Sequence, residues 1–351
     1  MAAEEVLEVA GREVRITNPE KVFFPALGAT KLDLVRYYLD VASGALTACR
    51  DRPILLKRHP NGVQGDFFYQ KRVPASRPGW IQTANVTFPS GRSASFLSMH
   101  DEAHLAWAIN LGCLELHPWP VRSRDVDHPD EMRIDLDPTD GVGFGDVRRV
   151  ALVAAEVLED HGMTGFPRTS GKRGIHVMIR IEPRWDFRDV RRAALALGRE
   201  VERRAPELAT TAWWKEERHG VFVDYNQNAR DRTLAAAYSV RPTDDARVAA
   251  PLAWDEVPDV DPAAFTIRTM PERFATVGDP GAGIEDKVFA LEPLLELSDR
   301  QAAEGATDAP WPPQFPKAEG EPARVQPSRA KRPTTKGAAN TKPPAAKRKT
   351  S

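Results

Sequence analysis

One ten-residue stretch, MRIDLDPTDG at residues 132–141, constrains this chain more than any other. In a β-strand, residues i and i+2 project from the same face. That period over 132–137 places Ile134 and Leu136 on one face and Asp135 and Asp137 on the other. Aspartate is depleted from strands. Two carboxylates that close also disfavour each other's ionisation unless a cation lies between them. Such a strand needs a core behind it and either a cation or water in front. Magnesium or manganese, which take hard oxygen ligands, would answer the first case. A solvated strand end closed by a turn at Pro138 would answer the second.

A second acidic strand end lies at residues 220–228, GVFVDYNQN, where Asp224 follows an apolar run. A third carboxylate from a separate strand would complete a two-metal site. Two cations can bridge a triphosphate, activate an attacking hydroxyl and stabilise the leaving oxygen. Taken alone, Asp224 also reads as an exposed aspartate after a strand. Between the two acidic segments lies TSGKRGIHVMIRI, residues 169–181. Gly171 and Gly174 make a loop whose N–H groups can face an anion. Ser170, Lys172 and Arg173 add donors, and His176 stands on the emerging strand. The glycine spacing is not that of a P-loop. Ordinary turn chemistry explains an isolated loop of this kind equally well.

Formal net charge over the 351 residues is −1, so bulk charge names no partner. Its distribution is uneven. Residues 317–351 hold ten Lys/Arg against Glu319 and Glu321, a net +8. Beyond residue 300, Pro, Ala, Lys, Thr and Gly dominate. That composition cannot bury enough surface to offset its ordering entropy. Residues 1–300 are therefore expected to form one catalytic unit, and 301–351 a disordered basic tail. The tail suits phosphate contact or simple solubilisation. Two cysteines, Cys49 and Cys113, exclude a disulfide framework and a four-cysteine zinc site. The N-terminus lacks a signal-peptide pattern and no apolar run reaches membrane-span length. The expected location is cytoplasmic, with nucleoid association.

Pattern reading predicts strands within 5–16, at 53–58, 132–137, 175–181 and 221–225, and a further one at 234–240. It predicts helices at 31–45, 104–114, 147–161 and 187–205, with 167–174 as a loop. Strands and helices mix without a regular βαβ period, which is an α+β pattern.

DLDP, then SGxxGxH, then a strand ending in aspartate resembles the archaeo-eukaryotic primase superfamily. More closely, the chain resembles the polymerase domain of the bacterial non-homologous end-joining ligase LigD and its stand-alone actinobacterial relatives. The resemblance runs over residues 12–295. It is carried by TNPEKVFFP (17–25), LLKRHPNG (55–62), FFYQK (67–71), NLGCLELHPW (110–119), RIDLDP (133–138), FPRTSGKRGIHV (166–177), VFVDYNQNARDRT (221–233) and AAYSVRP (236–242). It implies a primase-type α+β core with an acidic-strand sheet and an N-terminal α/β subdomain. It implies that Asp135, Asp137 and Asp224 are catalytic and bind two ions, Mn²⁺ or Mg²⁺. It places His117 near the incoming nucleotide and Lys57, Ser170, His176 and Arg241 around its triphosphate. It maps recognition of a 5′-phosphate on gapped or broken DNA onto Asn18, Lys21 and Lys31, and template stacking onto Phe67 and Phe68. Strand alternation favours burial of one of those two rings. The chain departs from the family pattern at Lys172 and Arg173 in the loop. It departs again at Asp231, where the family has glycine.

The function this implies is template-dependent addition of NTPs or dNTPs to a primer 3′-hydroxyl at breaks or short gaps. No K-x-D-G adenylation motif occurs in the sequence, so a separate DNA ligase, with Ku, is an expected partner. Two alternatives remain: a primase-polymerase making primers de novo, and a non-catalytic DNA-end-binding scaffold that recruits a ligase.

Overall fold

The computed structural model describes residues 3–88, 91–312, 315, 317 and 324. The chain begins with the hairpin β1 (Glu4–Val9) and β2 (Arg12–Thr17), followed by the short pair β3 (Val22–Phe24) and β4 (Ala29–Thr30). Thr30 then caps α1 (Lys31–Asp40). Its hydroxyl accepts from the Asp33 N–H, and the Asp33 carboxylate accepts from the Thr30 N–H. Next come α2 (Ala42–Cys49), β5 (Pro53–Arg58), β6 (Phe68–Gln70), β7 (Thr83–Thr87) and β8 (Ser93–Ser98). After them follow α3 (Glu102–Asn110) and β9 (Cys113–Pro118). One sheet has the order β6-β5-β8-β7, and β9 also pairs with β5.

The second half contains β10 (Glu131–Pro138), α4 (Phe144–Asp160), β11 (Phe166–Thr169), β12 (Ile175–Arg180) and α5 (Phe187–Arg204). It continues with β13 (Ala209–Thr210), β14 (Val221–Asp224), α6 (Met270–Val277) and α7 (Glu292–Ala303). Its sheet runs β11-β12-β10-β14-β13, with β10 central and antiparallel to both β12 and β14.

The two faces of this sheet differ in chemistry. Ile134 and Leu136 join Val177, Ile179, Val221 and Val223 in a core completed by Val150, Ala154 and Val157 of α4 and Val190, Leu197 and Val201 of α5. Full burial of one such aliphatic side chain contributes about 1.5–3 kcal/mol. The other face carries Glu131, Arg133, Asp135, His176 and Arg168, all buried. Charges on a sheet face are tolerated inside a protein only when partnered. Two of the partners come from the N-terminal half. Arg133 Nη2 donates to the Pro118 carbonyl at 2.9 Å, and Arg52 lies 3.6 Å from Glu131.

Several elements depart from the expectations. The helix expected at 31–45 breaks at Val41 into α1 and α2. The helix expected at 104–114 ends at Asn110. Gly112, at φ +79°, takes the left-handed turn that redirects the chain into β9. Residues 167–169 are not loop but belong to β11. Residues 234–240 form no strand, because Tyr238 sits at φ +63° and breaks the extended path. That segment instead docks on β9, with Ala236 N donating to Leu116 O at 2.8 Å.

The boundary expected at residue 300 falls inside α7. Beyond the helix, Arg191 of α5 donates to the Pro310 carbonyl at 2.7 Å and stacks on Trp311 at 4.3 Å. The described fold therefore reaches Pro312. Apart from residues 315, 317 and 324, the expected basic tail beyond that point lies outside the described residues. No described helix is long and apolar enough to cross a membrane.

Candidate active site

Strand register builds the acidic centre. Asp135 sits directly opposite Asp224 across β10 and β14, and opposite His176 across β10 and β12. Asp137 follows on the same face, two residues along. One ligand oxygen from each of Asp135, Asp137 and Asp224 lies within 4.8 Å of the others. Asp135 is buried, and its Oδ1 has no hydrogen-bond partner among the described residues. Burial pushes the Asp135 carboxyl well above its ordinary range, and the charges of Asp137 and Asp224 push it further. Burial raises Asp137 as well, with Asp224 adding to it. Asp224 is held by its own turn: Oδ1 accepts from Asn226 N and Oδ2 from Gln227 Nε2, both at 2.9 Å. Three converging hard-oxygen groups, one with an orphaned buried oxygen, fit a divalent cation.

The sequence departure at Asp231 is accommodated. Asp231 adopts φ +70°, the left-handed conformation that the family's glycine takes easily. The turn after Asp224 is pinned by Asn228, whose amide exchanges hydrogen bonds with the Arg133 backbone at 2.8 and 2.7 Å.

Beside the carboxylates opens a cavity of about 680 Å³. His117, Ser170, His176 and Arg241 line it, as expected, together with Lys172, Arg173, Lys215 and Arg218. The Ser170 hydroxyl accepts from the N–H groups of Lys172 (3.2 Å) and Gly174 (3.0 Å), which closes the loop on itself. A Cβ at Gly174 would lie 2.5 Å from the Leu136 carbonyl, so only glycine lets the loop lie this close to β10. Arg168 Nε donates to His176 Nδ1 at 3.4 Å. That leaves the proton of a neutral imidazole on Nε2, 3.4 Å from Asp135 Oδ1. Burial, then Arg168 and Arg241, hold His176 well below its ordinary range, so the ring is neutral.

Lys57 does not line the cavity. It pairs with the buried Glu115, as does Arg241. Lys31 is buried, and its Nζ donates to Thr17 Oγ1 and Asn110 Oδ1, each at 3.2 Å. Burial, then Lys21 and Arg58, lower its ammonium to about 8. Lys21 Nζ donates to Asn61 Oδ1 at 2.9 Å. Asn18 is exposed on the preceding turn at φ +49°. Phe67 and Phe68 are both exposed, at 51% and 45%, with Tyr69 beside them at 52%. The expectation that one of the two phenylalanines is core is therefore corrected. Lys57 Nζ lies 4.5 Å from the Phe67 ring and the Arg58 guanidinium 5.2 Å from Phe68. Sequence reasoning missed Glu115, Arg168, Arg58 and Tyr69. Only the strand registers, Lys57 against Glu115 and Arg168 against His176, bring the first two into view.

A mixed sheet presenting three carboxylates beside a basic cavity defines a primase-type nucleotidyl-transferring fold. The family model described as the LigD primase-polymerase domain matches residues 30–281, and the chain belongs to that family. It is 32% identical over 308 residues to the multifunctional non-homologous end joining protein LigD of Mycolicibacterium smegmatis, covering 87% of this chain and 40% of the relative. It is 30% identical over 271 residues to the bifunctional LigD of Bacillus subtilis, covering 76% and 43%. This chain therefore spans less than half the length of these relatives. Among solved structures, the polymerase domain from Mycobacterium tuberculosis ligase D in complex with DNA matches with a TM-score of 0.73 and 32% identity. That match covers 78% of this chain and 98% of the other.

Proposed function

We propose that this chain is a template-dependent nucleotidyltransferase that extends a primer 3′-hydroxyl with NTPs or dNTPs at DNA breaks or short gaps, in repair by end joining. The observation that carries the reading is the register that sets Asp135 opposite Asp224 at the edge of a basic cavity. Asp135, Asp137 and Asp224 would hold two divalent ions, manganese or magnesium. Bound there, such ions supply neutralising charge to the triphosphate and Lewis acidity toward the attacking hydroxyl.

The chain's own groups do the rest. Arg241, Lys172, Ser170 and His176 line the space where phosphate oxygens must lie, and fixed donors in a dry cleft favour the charge of phosphoryl transfer. His117 borders the same space from β9. Phe67 and Phe68 offer exposed rings to template bases, worth ~1–3 kcal/mol per stacked base. Asn18, Lys21 and Lys31 form the site for the 5′-phosphate of the downstream strand, and Arg58 adds a fourth donor. A separate ligase and Ku are the partners this activity calls for.

The test is primer extension on a gapped duplex bearing a recessed 5′-phosphate, with Mn²⁺ and either ribo- or deoxyribonucleotides. Wild type should extend the primer. The Asp135→Ala, Asp137→Ala variant should lose at least ~10³-fold in rate while still binding DNA. Failure of wild type to extend, with DNA still bound, would replace the polymerase by an end-binding scaffold.

A further inference from the structure

We infer that Glu115 is a positioning residue for the nucleotide's phosphates, a buried carboxylate that holds Lys57 and Arg241 as one cationic pair beside the His117 ring. The inference rests on the polymerase reading above, but Glu115 itself is not among the residues that line the cavity.

Glu115 is 0% exposed on β9. Register sets it opposite Lys57 of β5, and Lys57 Nζ donates to its Oε1 at 2.5 Å. Arg241 Nη1 lies 2.5 Å from Oε2, and His117 Nε2 lies 3.6 Å from the same oxygen. Arg241 arrives from a distant segment docked on β9. Ser239 Oγ accepts from Leu116 N at 3.1 Å, and Val240 N donates to Tyr38 Oη at 2.9 Å. Three groups from separate parts of the chain thus converge on one carboxylate.

Burying a carboxylate costs several kcal/mol unless it is paired. Here the pairing exceeds what balance requires. One negative charge faces the two fixed positive charges of Lys57 and Arg241, with Lys172 close enough to feel the same field. Burial opposes ionisation of Glu115, but His117, Arg241 and Lys57 prevail and hold the carboxyl well below its ordinary range. The surplus charge is directed at the cavity. Arg241 and His117 both line the cavity, and Arg241 Nε is buried with no hydrogen-bond partner among the described residues. A polyphosphate in that cavity supplies acceptors for the Arg241 guanidinium. Glu115 keeps the cations from repelling one another before it arrives.

Three variants test this by single-nucleotide incorporation on the gapped duplex: Glu115→Gln, Arg241→Gln and the double substitution. Glutamine keeps the shape of Glu115 and removes its charge. Glu115→Gln should raise the nucleotide KM about tenfold while kcat and DNA affinity stay within about twofold, the pattern of lost ground-state binding. In the Arg241→Gln background the same change should add less than about twofold, because coupled residues are not additive. Glu115→Asp, which restores the charge on a shorter arm, should recover part of the KM.

Binding of inorganic tripolyphosphate, measured by calorimetry on the full chain, should weaken in parallel. It remains readable if no nucleotide is incorporated, so it separates failure of this inference from failure of the polymerase reading. A wild-type KM and wild-type tripolyphosphate affinity in Glu115→Gln would overturn the inference. So would full additivity with Arg241→Gln, or equal losses of KM and DNA affinity. If Glu115→Gln fails to fold, a Glu115→Asp variant that folds and binds tripolyphosphate as tightly as wild type would also overturn it, because a carboxylate drawn back by one methylene would then position nothing.

Discussion

Asp130 and Asp135 lie five residues apart, the first just ahead of β10 and the second within it, and both are buried. Their surroundings differ. Asp130 accepts from Arg52 Nη1 and Arg122 Nε, each at 2.5 Å, and from Arg180 Nη1. Beside it Glu131 pairs with Arg133 at 2.7 Å. Asp135 instead faces two further carboxylates, and one of its oxygens has no partner. Burial opposes ionisation in both. Arg52, Arg180 and Arg122 overcome it at Asp130, whose carboxyl falls to about 2. At Asp135 burial prevails, and Asp137 and Asp224 reinforce it. The direction of the shift is thus decided by the counter-charges the fold supplies. Where the ion network is closed, the charge serves the architecture and ties the two halves together. Where it is left open, a cation from solution is the proposed counter-charge.

The sharpest way to break this comparison is to neutralise each aspartate in turn. Asp130→Asn leaves buried arginines without their shared partner, and it should destabilise the fold by about 3–5 kcal/mol. Asp135→Asn removes a like charge from a crowded site. It should leave stability at neutral pH unchanged or raised, while abolishing primer extension. Urea unfolding at pH 7 measures both. Equal destabilisation by the two would mean that Asp135 is as much a structural charge as Asp130.

Proton linkage gives the same contrast a pH axis. A carboxyl whose folded pKa is depressed contributes stability above its unfolded value, lost as pH falls through the folded one. For Asp130 that window runs from about 4, its unfolded value, down to about 2. Asp135 and Asp137 act oppositely: their raised folded values make stability present in acid fall as pH rises. Divalent cations should relieve that loss. Saturating Mn²⁺ at pH 7 should stabilise wild type by about 1–3 kcal/mol through preferential binding to the folded state. Asp135→Asn should gain much less. An equal gain in both would place the cation elsewhere.

What was legible in the sequence follows the same division. The triad was visible because a period of two in RIDLDP and an apolar run ending at Asp224 are local signals. The amphipathic spacing of α4 and α5 is local too. Glu115 was hidden because CLELHP reads as the end of an apolar run after α3. Its partners lie far off in sequence, at Lys57 and Arg241, and only the β5–β9 register unites them. The sequence reads β11 as loop because Pro167 stands inside it, yet β11 is an edge strand, where a missing N–H is harmless. The strand expected at 234–240 has suitable residues, but Tyr238 in the left-handed region overrides them. Both exposed phenylalanines defeat alternation for another reason: β6 is an edge strand exposed at Phe68 and Tyr69 alike, so neither of its faces is buried there.

The smallest effect extends the comparison to the opposite charge. Lys31 is a buried cation in the field of Lys21 and Arg58, and its hydrogen-bond partners among the described residues are neutral oxygens. It is the cationic counterpart of Asp135, and the 5′-phosphate is the anion proposed for it. Burial first, then its two cationic neighbours, lower it to about 8. The free protein therefore loses this charge as pH rises through about 8, whereas an exposed lysine would keep it past 10. Binding of a 5′-phosphorylated gap relative to its unphosphorylated twin should weaken by about three- to tenfold between pH 7 and pH 9, by linkage between proton and phosphate. In Lys31→Met the ratio should be lower and flat across that range. A wild-type ratio that does not move with pH would mean that the 5′-phosphate is held by other cations, with Lys31 serving only to tie α1 to Asn110.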